Sequence, residues 1–215
     1  MEKNLIFIGM IGSNTKAVAA ETAQMLGRKF VDTDEVLTRN SGMSLHDLYM
    51  LLPIDAFKDL TLRLARQLSE SDNYVIAVGD SILKNIDAIS ILKSTAYSVY
   101  IQQNIESIVD SCADPTHPLL ARGLERLYEL FNERQQAFEE YSDKIIEYSE
   151  DAAQFAVTAY KALTGKSVAA GTSNPALKAF FKYYLETLCP EADKDSFADE
   201  CADAVNKILE KYIQR

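Results

Sequence analysis

The chain has 215 residues, 47% hydrophobic and 25% charged, with a formal net charge of −10. Such a length and balance fit one folded domain, or one domain with an appendage. The acidic surplus and the lack of a Lys/Arg cluster argue against nucleic acid and anionic membranes as partners, and no apolar run is long enough to span a bilayer.

Leu5 to Ile8 is apolar and ends at Gly9, which predicts a buried strand; a strand so close to the start leaves no signal peptide to expect. The residues that follow, from Gly9 through Gly12, Ser13, Asn14, Thr15 and Lys16, have the frame of a phosphate-binding loop. In the working motif, G-x-x-x-x-G-K-[ST], backbone N–H groups cradle phosphates, the lysine reaches the β/γ-phosphates and the hydroxyl holds Mg²⁺. Gly9 is kept. Asn14 stands for the second glycine, Thr15 for the lysine and Lys16 for the hydroxyl residue. Thr15 to Leu26 then reads as a helix with Val18, Thr22, Met25 and Leu26 facing inward and Gly27 as its stop.

Phe30-Val31 predicts a short strand delivering Asp32-Thr33-Asp34. Helical patterns fill Glu35 to Leu68, broken near Gly42 and Pro53. Tyr74 to Val78, ending at Gly79, Tyr97 to Ile101 and Lys144 to Tyr148 supply further strands. Strands alternating with helices predict an α/β fold: a parallel sheet with helices on both faces. Ligands then bind beyond the carboxyl ends of the strands, where Gly9, Asp32, Asp34 and Gly79 fall. Cys112, Cys189 and Cys201 are odd in number and lack metal-ligand spacing, and His46 and His117 are far apart, so a reducing cytoplasm is the expected setting.

Thr164 to Ser173 is small and polar, as in a linker. Asn174-Pro175 begins a helix, Pro190 separates it from a second, and Ser196 with Asp199 resembles a capping box. The expected organisation is an α/β domain over 1–163, a linker over 164–173 and a helical extension over 174–215. The extension is a candidate surface for a protein partner or a second copy of the chain.

Several segments, in their order and spacing, resemble shikimate kinase, a small kinase of the phosphate-loop nucleoside-monophosphate kinase fold. They are Ile8-Gly9-Met10-Ile11-Gly12-Ser13, Phe30-Val31-Asp32-Thr33-Asp34, Gly42-Met43-Ser44, Ala56-Phe57-Lys58, His117-Pro118-Leu119-Leu120, and Glu133-Arg134 before Phe138. The resemblance runs from residue 4 to residue 163 and implies transfer of a phosphoryl group from ATP, with Mg²⁺, to the 3-hydroxyl of shikimate. By resemblance, Asp34, Lys58, Gly79 and Arg134 hold the substrate, Asp32 faces the metal and His117 sits in the lid.

The departures are as telling. Lys58 replaces an arginine and loses its bidentate fork. Gly79-Asp80-Ser81 replaces a triple glycine, Thr61 a glutamate and His117 a lid arginine. Phosphoryl transfer rests on positioning and on positive charge at the transferring group, so little kinase activity is expected. An active small-molecule kinase with rearranged phosphate contacts is the second expectation, and an interaction protein acting through 174–215 the third.

Individual residues keep two readings. Lys16 either pairs with Asp32 where the metal would be or is an exposed first-turn lysine. Asp32 and Asp34 are either remnants of a site or a strand end with a helix cap. Arg134 either holds a carboxylate or bridges to Glu133, Glu139 or Glu140. For His117 an exposed loop position is expected.

Overall fold

The structure, a computed structural model, describes residues 3–111, 117, 120, 123 and 125–164. The helical extension, the linker beyond Thr164, the three cysteines, Pro118-Leu119 and Arg122 lie outside the described residues. The chain divides into two compact units, Met1–Ala156 and Val157–Arg215. All of the sheet and the candidate site belong to the first.

Five parallel strands form one sheet in the order β2-β3-β1-β4-β5. β1 (Asn4–Ile8) is its centre and is buried along its whole length, as a continuous apolar run in a parallel sheet requires. It pairs with β3 (Tyr74–Ala77) on one side and β4 (Ala96–Gln102) on the other. β2 (Lys29–Asp32) lies outside β3, and β5 (Lys144–Glu147) outside β4, largely exposed on the edge.

Helix α1 spans Thr15–Leu26 and stops at Gly27, whose φ of 64° is the left-handed cap that glycine adopts without strain. Its inner face differs from the expected stripe. Met25 is 47% exposed, and the positions against the sheet are Thr15, Val18, Ala19, Thr22 and Ala23. The alanines let the helix lie close to the strands, and the long Met25 side chain is turned out.

The predicted helical stretch from Glu35 to Leu68 is three helices: α2 (Thr33–Ser41), α3 (Leu45–Leu51) and α4 (Ile54–Ser69). The breaks fall near Gly42 and Pro53, as expected. α2 starts two residues earlier than the apolar pattern suggested because Asp32 caps it, accepting from the N–H groups of Asp34 and Glu35. The remaining helices are α5 (Asp80–Leu83), α6 (Ile86–Thr95), α7 (Ile105–Ser111), α8 (Glu125–Tyr141) and α9 (Ala152–Leu163).

One buried side chain ties the opening of β1 to distant chain. Asn4, 2% exposed, donates to the carbonyls of Leu68 (2.9 Å) and Ser71 (2.7 Å) and accepts from the Tyr74 N–H (2.9 Å). It thereby fixes the turn between α4 and β3 against the central strand. Asn4→Ala would leave three backbone groups without this partner, at about 1–3 kcal/mol for each that stays dry. Urea unfolding should show a lowered midpoint with an unchanged slope.

Candidate active site

Because the strands are parallel, their carboxyl ends gather at one edge of the sheet. There β1 runs into the Gly9–Lys16 loop, β2 ends at Asp32, β3 continues through Val78 to Gly79, and β4 continues to Gln103. The register sets Asp32 beside Ala77, and Ile8 beside Tyr100. A cavity of 170 Å³ opens at this edge, lined by the loop with Asp32, Asp34, Gly79, Asp80 and His117. It is below the range of about 300–1,000 Å³ usual for drug-sized pockets, so it suits a small ligand.

The loop is filled by its own side chains. Thr15, 7% exposed, folds back so that its hydroxyl takes the space a Cβ on Gly9 would need, 2.0 Å from that position. Thr15 and Ser13 share a hydrogen bond of 2.8 Å, and Ser13 donates onward to the Met10 carbonyl at 2.6 Å. A single hydroxyl hydrogen on Ser13 makes Thr15 the donor of the first bond. The Asn14 N–H, which a phosphate cradle would aim at its ligand, donates instead to Gln103 Oε1 at 3.1 Å, and the Asn14 amide adds a second bond of 3.3 Å.

Lys16 is turned to the end of β2. Its ammonium lies 2.9 Å from Asp32 Oδ2 and 2.5 Å from Glu35 Oε1. Both earlier readings meet here, since the lysine is paired and is also 56% exposed. Partial burial pulls its pKa down, but Glu35 and Asp32 outweigh this and hold it above the ordinary lysine value. Asp32 is likewise engaged at both oxygens: Oδ1 accepts from Asp34 N–H (2.9 Å) and Glu35 N–H (3.1 Å) to cap α2. It is cap and ion-pair partner at once.

Asp34 leans against Gly79. A Cβ built on Gly79 would stand 2.2 Å from the Asp34 Cγ, so only glycine leaves room for this carboxyl. The Thr33 hydroxyl meanwhile accepts the Gly79 N–H at 2.8 Å, joining α2 to the end of β3. The Asp34 carboxyl is buried, with the Ser81 hydroxyl and N–H beside it. Burial pushes its pKa up to about 7, the neighbouring Asp80 adds to the rise, and Ser81 opposes it.

Arg134, on α8, does not bridge to Glu133, Glu139 or Glu140. Its guanidinium bonds to Asp80 Oδ1, with the two side chains only 15% and 9% exposed. Glu133 pairs with Arg126 instead. The sequence neighbours lost because Arg134 points inward, where a partner 54 residues away in sequence waits for it. His117 is half-buried rather than exposed: it lines the cavity with its ring edge-on to Tyr49, 6.1 Å between centroids. Lys58 is exposed on α4 and is not among the cavity-lining residues. Gly12 and Ser13 line the cavity, as does Gly79.

Sequence reasoning passed over Gln103, Glu35, Tyr49 and Lys84. Gln103 had one signal, its place just past a strand end. Lys84 has its ammonium 4.7 Å from the Tyr49 ring centre, and burial first, then Arg134, lower its pKa. No local pattern in the chain announces that contact.

The family profile for shikimate kinase matches residues 12–164. The chain belongs to the shikimate kinase family. Shikimate kinase of Aquifex aeolicus is 28% identical over 142 residues, covering 66% of this chain and 84% of that one. Shikimate kinase of Clostridium botulinum is 27% identical over 146 residues, covering 68% and 88%. Among solved structures, shikimate kinase from Acinetobacter baumannii in complex with shikimate superposes with a TM-score of 0.68 at 21% identity, over 78% of this chain and 96% of that one. The Aquifex aeolicus enzyme gives 0.63 at 23%, over 76% and 99%. These likenesses establish the fold, the five-stranded parallel sheet of the shikimate kinases.

The family uses ATP and Mg²⁺, and the residues present fit neither group well. An ammonium stands on Asp32 Oδ2, where a divalent cation would be repelled, and Asp32 Oδ1 is committed to capping α2. The loop side has Thr15 folded onto Gly9 and Asn14 N–H bonded to Gln103, so the cradle for a triphosphate is partly used up. The orphan N–H groups that open any helix remain at the start of α1.

Two expectations follow for this site. Asp32→Ala should destabilise by about 1–2 kcal/mol through loss of the cap, whereas Lys16→Ala should cost less than ~1 kcal/mol because its pairs are exposed. Denaturant midpoints of the two variants check the order. For Asp34 the folded-state pKa of about 7 lies above the ordinary 3.8, so the folded protein holds a proton that the unfolded chain has lost. Stability from this group is complete below pH 3.8 and is lost as pH rises through about 7. Thermal melts across that window should show Asp34→Asn gaining on wild type as pH rises; a constant gap would contradict the shift.

Proposed function

We propose that this member of the shikimate kinase family has weak or no kinase activity and keeps a cleft for a small molecule. The observation that carries the reading is the Lys16 ammonium on Asp32, where the family motif puts a metal-binding hydroxyl and a metal. Phosphoryl transfer needs cations aimed at the phosphates. Here Thr15 stands at the loop lysine's position, and Lys16, one residue on, is shared between Asp32 and Glu35. The Gln103 bond to the Asn14 N–H and the Asp80 bond to Arg134 support the same reading from the phosphate and substrate sides. Losing one such electrostatic group costs about 10²–10³-fold in rate, and groups acting as a unit do not add simply.

A coupled assay with shikimate, ATP and Mg²⁺ tests this directly. The expected turnover is far below the roughly 1–100 s⁻¹ usual for kinases, and turnover inside that range would refute the reading. Thermal melts with ATP should show no stabilisation that depends on Mg²⁺. A Mg²⁺-dependent rise that Asp32→Asn abolishes would favour an active kinase with rearranged phosphate contacts.

A further inference from the structure

We propose that Lys84 is a site of acylation: its amine takes an acyl group from an activated donor, an acyl phosphate or a thioester, ahead of Lys16 and Lys93. Lys84 closes the short helix α5, where its N–H donates to the Asp80 carbonyl at 3.0 Å. It is exposed, so a donor reaches it from solvent. Attack on an acyl carbon also needs a neutral amine, because an ammonium has no lone pair to offer.

The surroundings of Lys84 favour that neutral form. A lysine four residues after an aspartate on one helix ordinarily pairs with it. Asp80 holds that place, but its carboxylate is taken by Arg134 of α8. Lys84 makes no ion pair among the described residues. Its ammonium stands instead 4.7 Å from the centre of the Tyr49 ring, which His117 meets edge-on from 6.1 Å. That ring adds no negative charge, since burial first and then Asp80 push the Tyr49 hydroxyl above the usual phenol value. Arg134 and Arg126 of α8 are the cations nearby. Burial first, then Arg134, then Arg126 lower the Lys84 pKa, and Asp80 opposes them.

Two other lysines supply the contrast. Lys16 is held as an ammonium by Asp32 and Glu35, so its lone pair is kept out of reach. Lys93 also stands over a ring, 5.5 Å from the centre of Tyr141, and so controls for the ring contact alone.

In the reaction the Lys84 ammonium gives one proton to water and its nitrogen attacks the acyl carbon. A C–N bond forms. The C–O bond to phosphate, or the C–S bond to the thiolate, breaks and its electron pair leaves with that group. The nitrogen then gives a second proton to water. The product is a neutral amide, so the Tyr49 ring loses its cation and Arg134 loses a like-charged neighbour.

The test gives the full chain limiting acetyl phosphate in one arm and a limiting acetyl thioester in the other, with site-resolved mass spectrometry reading the rates. At about pH 8, Lys84 should lead Lys93 by about threefold or more with at least one donor, which then identifies the source, and Lys16 should be the slowest of the three. The lead should narrow as pH rises towards the ordinary lysine value of 10.5, where Lys93 also becomes a neutral amine. Arg134→Met frees Asp80 to pair with Lys84 and should cut the lead. If that variant folds poorly, Arg126→Gln removes the other guanidinium from α8 and should cut it too. A Lys84 no faster than Lys93 with either donor overturns the proposal. So does a lead that does not narrow with pH, which would mark access rather than the state of the amine, or a lead that the folded variants leave unchanged.

Discussion

Much of the site depends on the missing side chain of Gly79. Because nothing projects from its Cα, the Asp34 carboxyl can sit where a Cβ would be, and the Thr33 hydroxyl can take the Gly79 N–H. This seats the first turn of α2 on the end of β3 and sets the direction in which α5 leaves. The next residue, Asp80, is thereby delivered to the inner side, within reach of α8. A methyl group at Gly79 would move all of these at once. It is a steric constraint that the electrostatics then exploits.

The two ion pairs built on this frame differ in kind. Lys16 with Asp32 and Glu35 is half in water, so salt weakens it and its worth is small. Arg134 with Asp80 is mostly out of water, so it is costly to break and insensitive to salt. The first explains where a lysine goes when its metal-binding predecessor is gone. The second joins α5 to α8 out of water. Fold membership alone says neither, since function resides in the side chains a fold carries.

What the sequence disclosed was local. The first three strands were legible as apolar runs ended by glycine or aspartate, and α1 from its cap region to Gly27. The early start of α2 was hidden because a cap was open to either Asp32 or Asp34, and it is Asp32 that caps the helix. Met25 was placed inward by periodicity alone, whereas the buried face of α1 is Thr15, Val18, Ala19, Thr22 and Ala23 and Met25 is exposed. The replacements at Asn14, Thr15, Lys16 and Asp80 were plain, but their partners were not. Gln103 is 89 residues from Asn14, and Asp80 is 54 from Arg134. Pairings at that range come from topology, and a single sequence carries no periodic trace of them.

The central place of β1 has a consequence for how the chain is made. Its strand partners are β3 and β4, and Leu5 pairs with Val75, 70 positions later. At roughly 5–20 residues per second, a ribosome needs several seconds to cross that gap. Throughout that interval Leu5-Ile6-Phe7-Ile8, the most deeply buried run of the finished sheet, has emerged without either neighbour. The nascent protein therefore carries this apolar run unpaired while the cleft residues from Gly9 to Asp34 are already made, and its demand on chaperones is set by the order of strands.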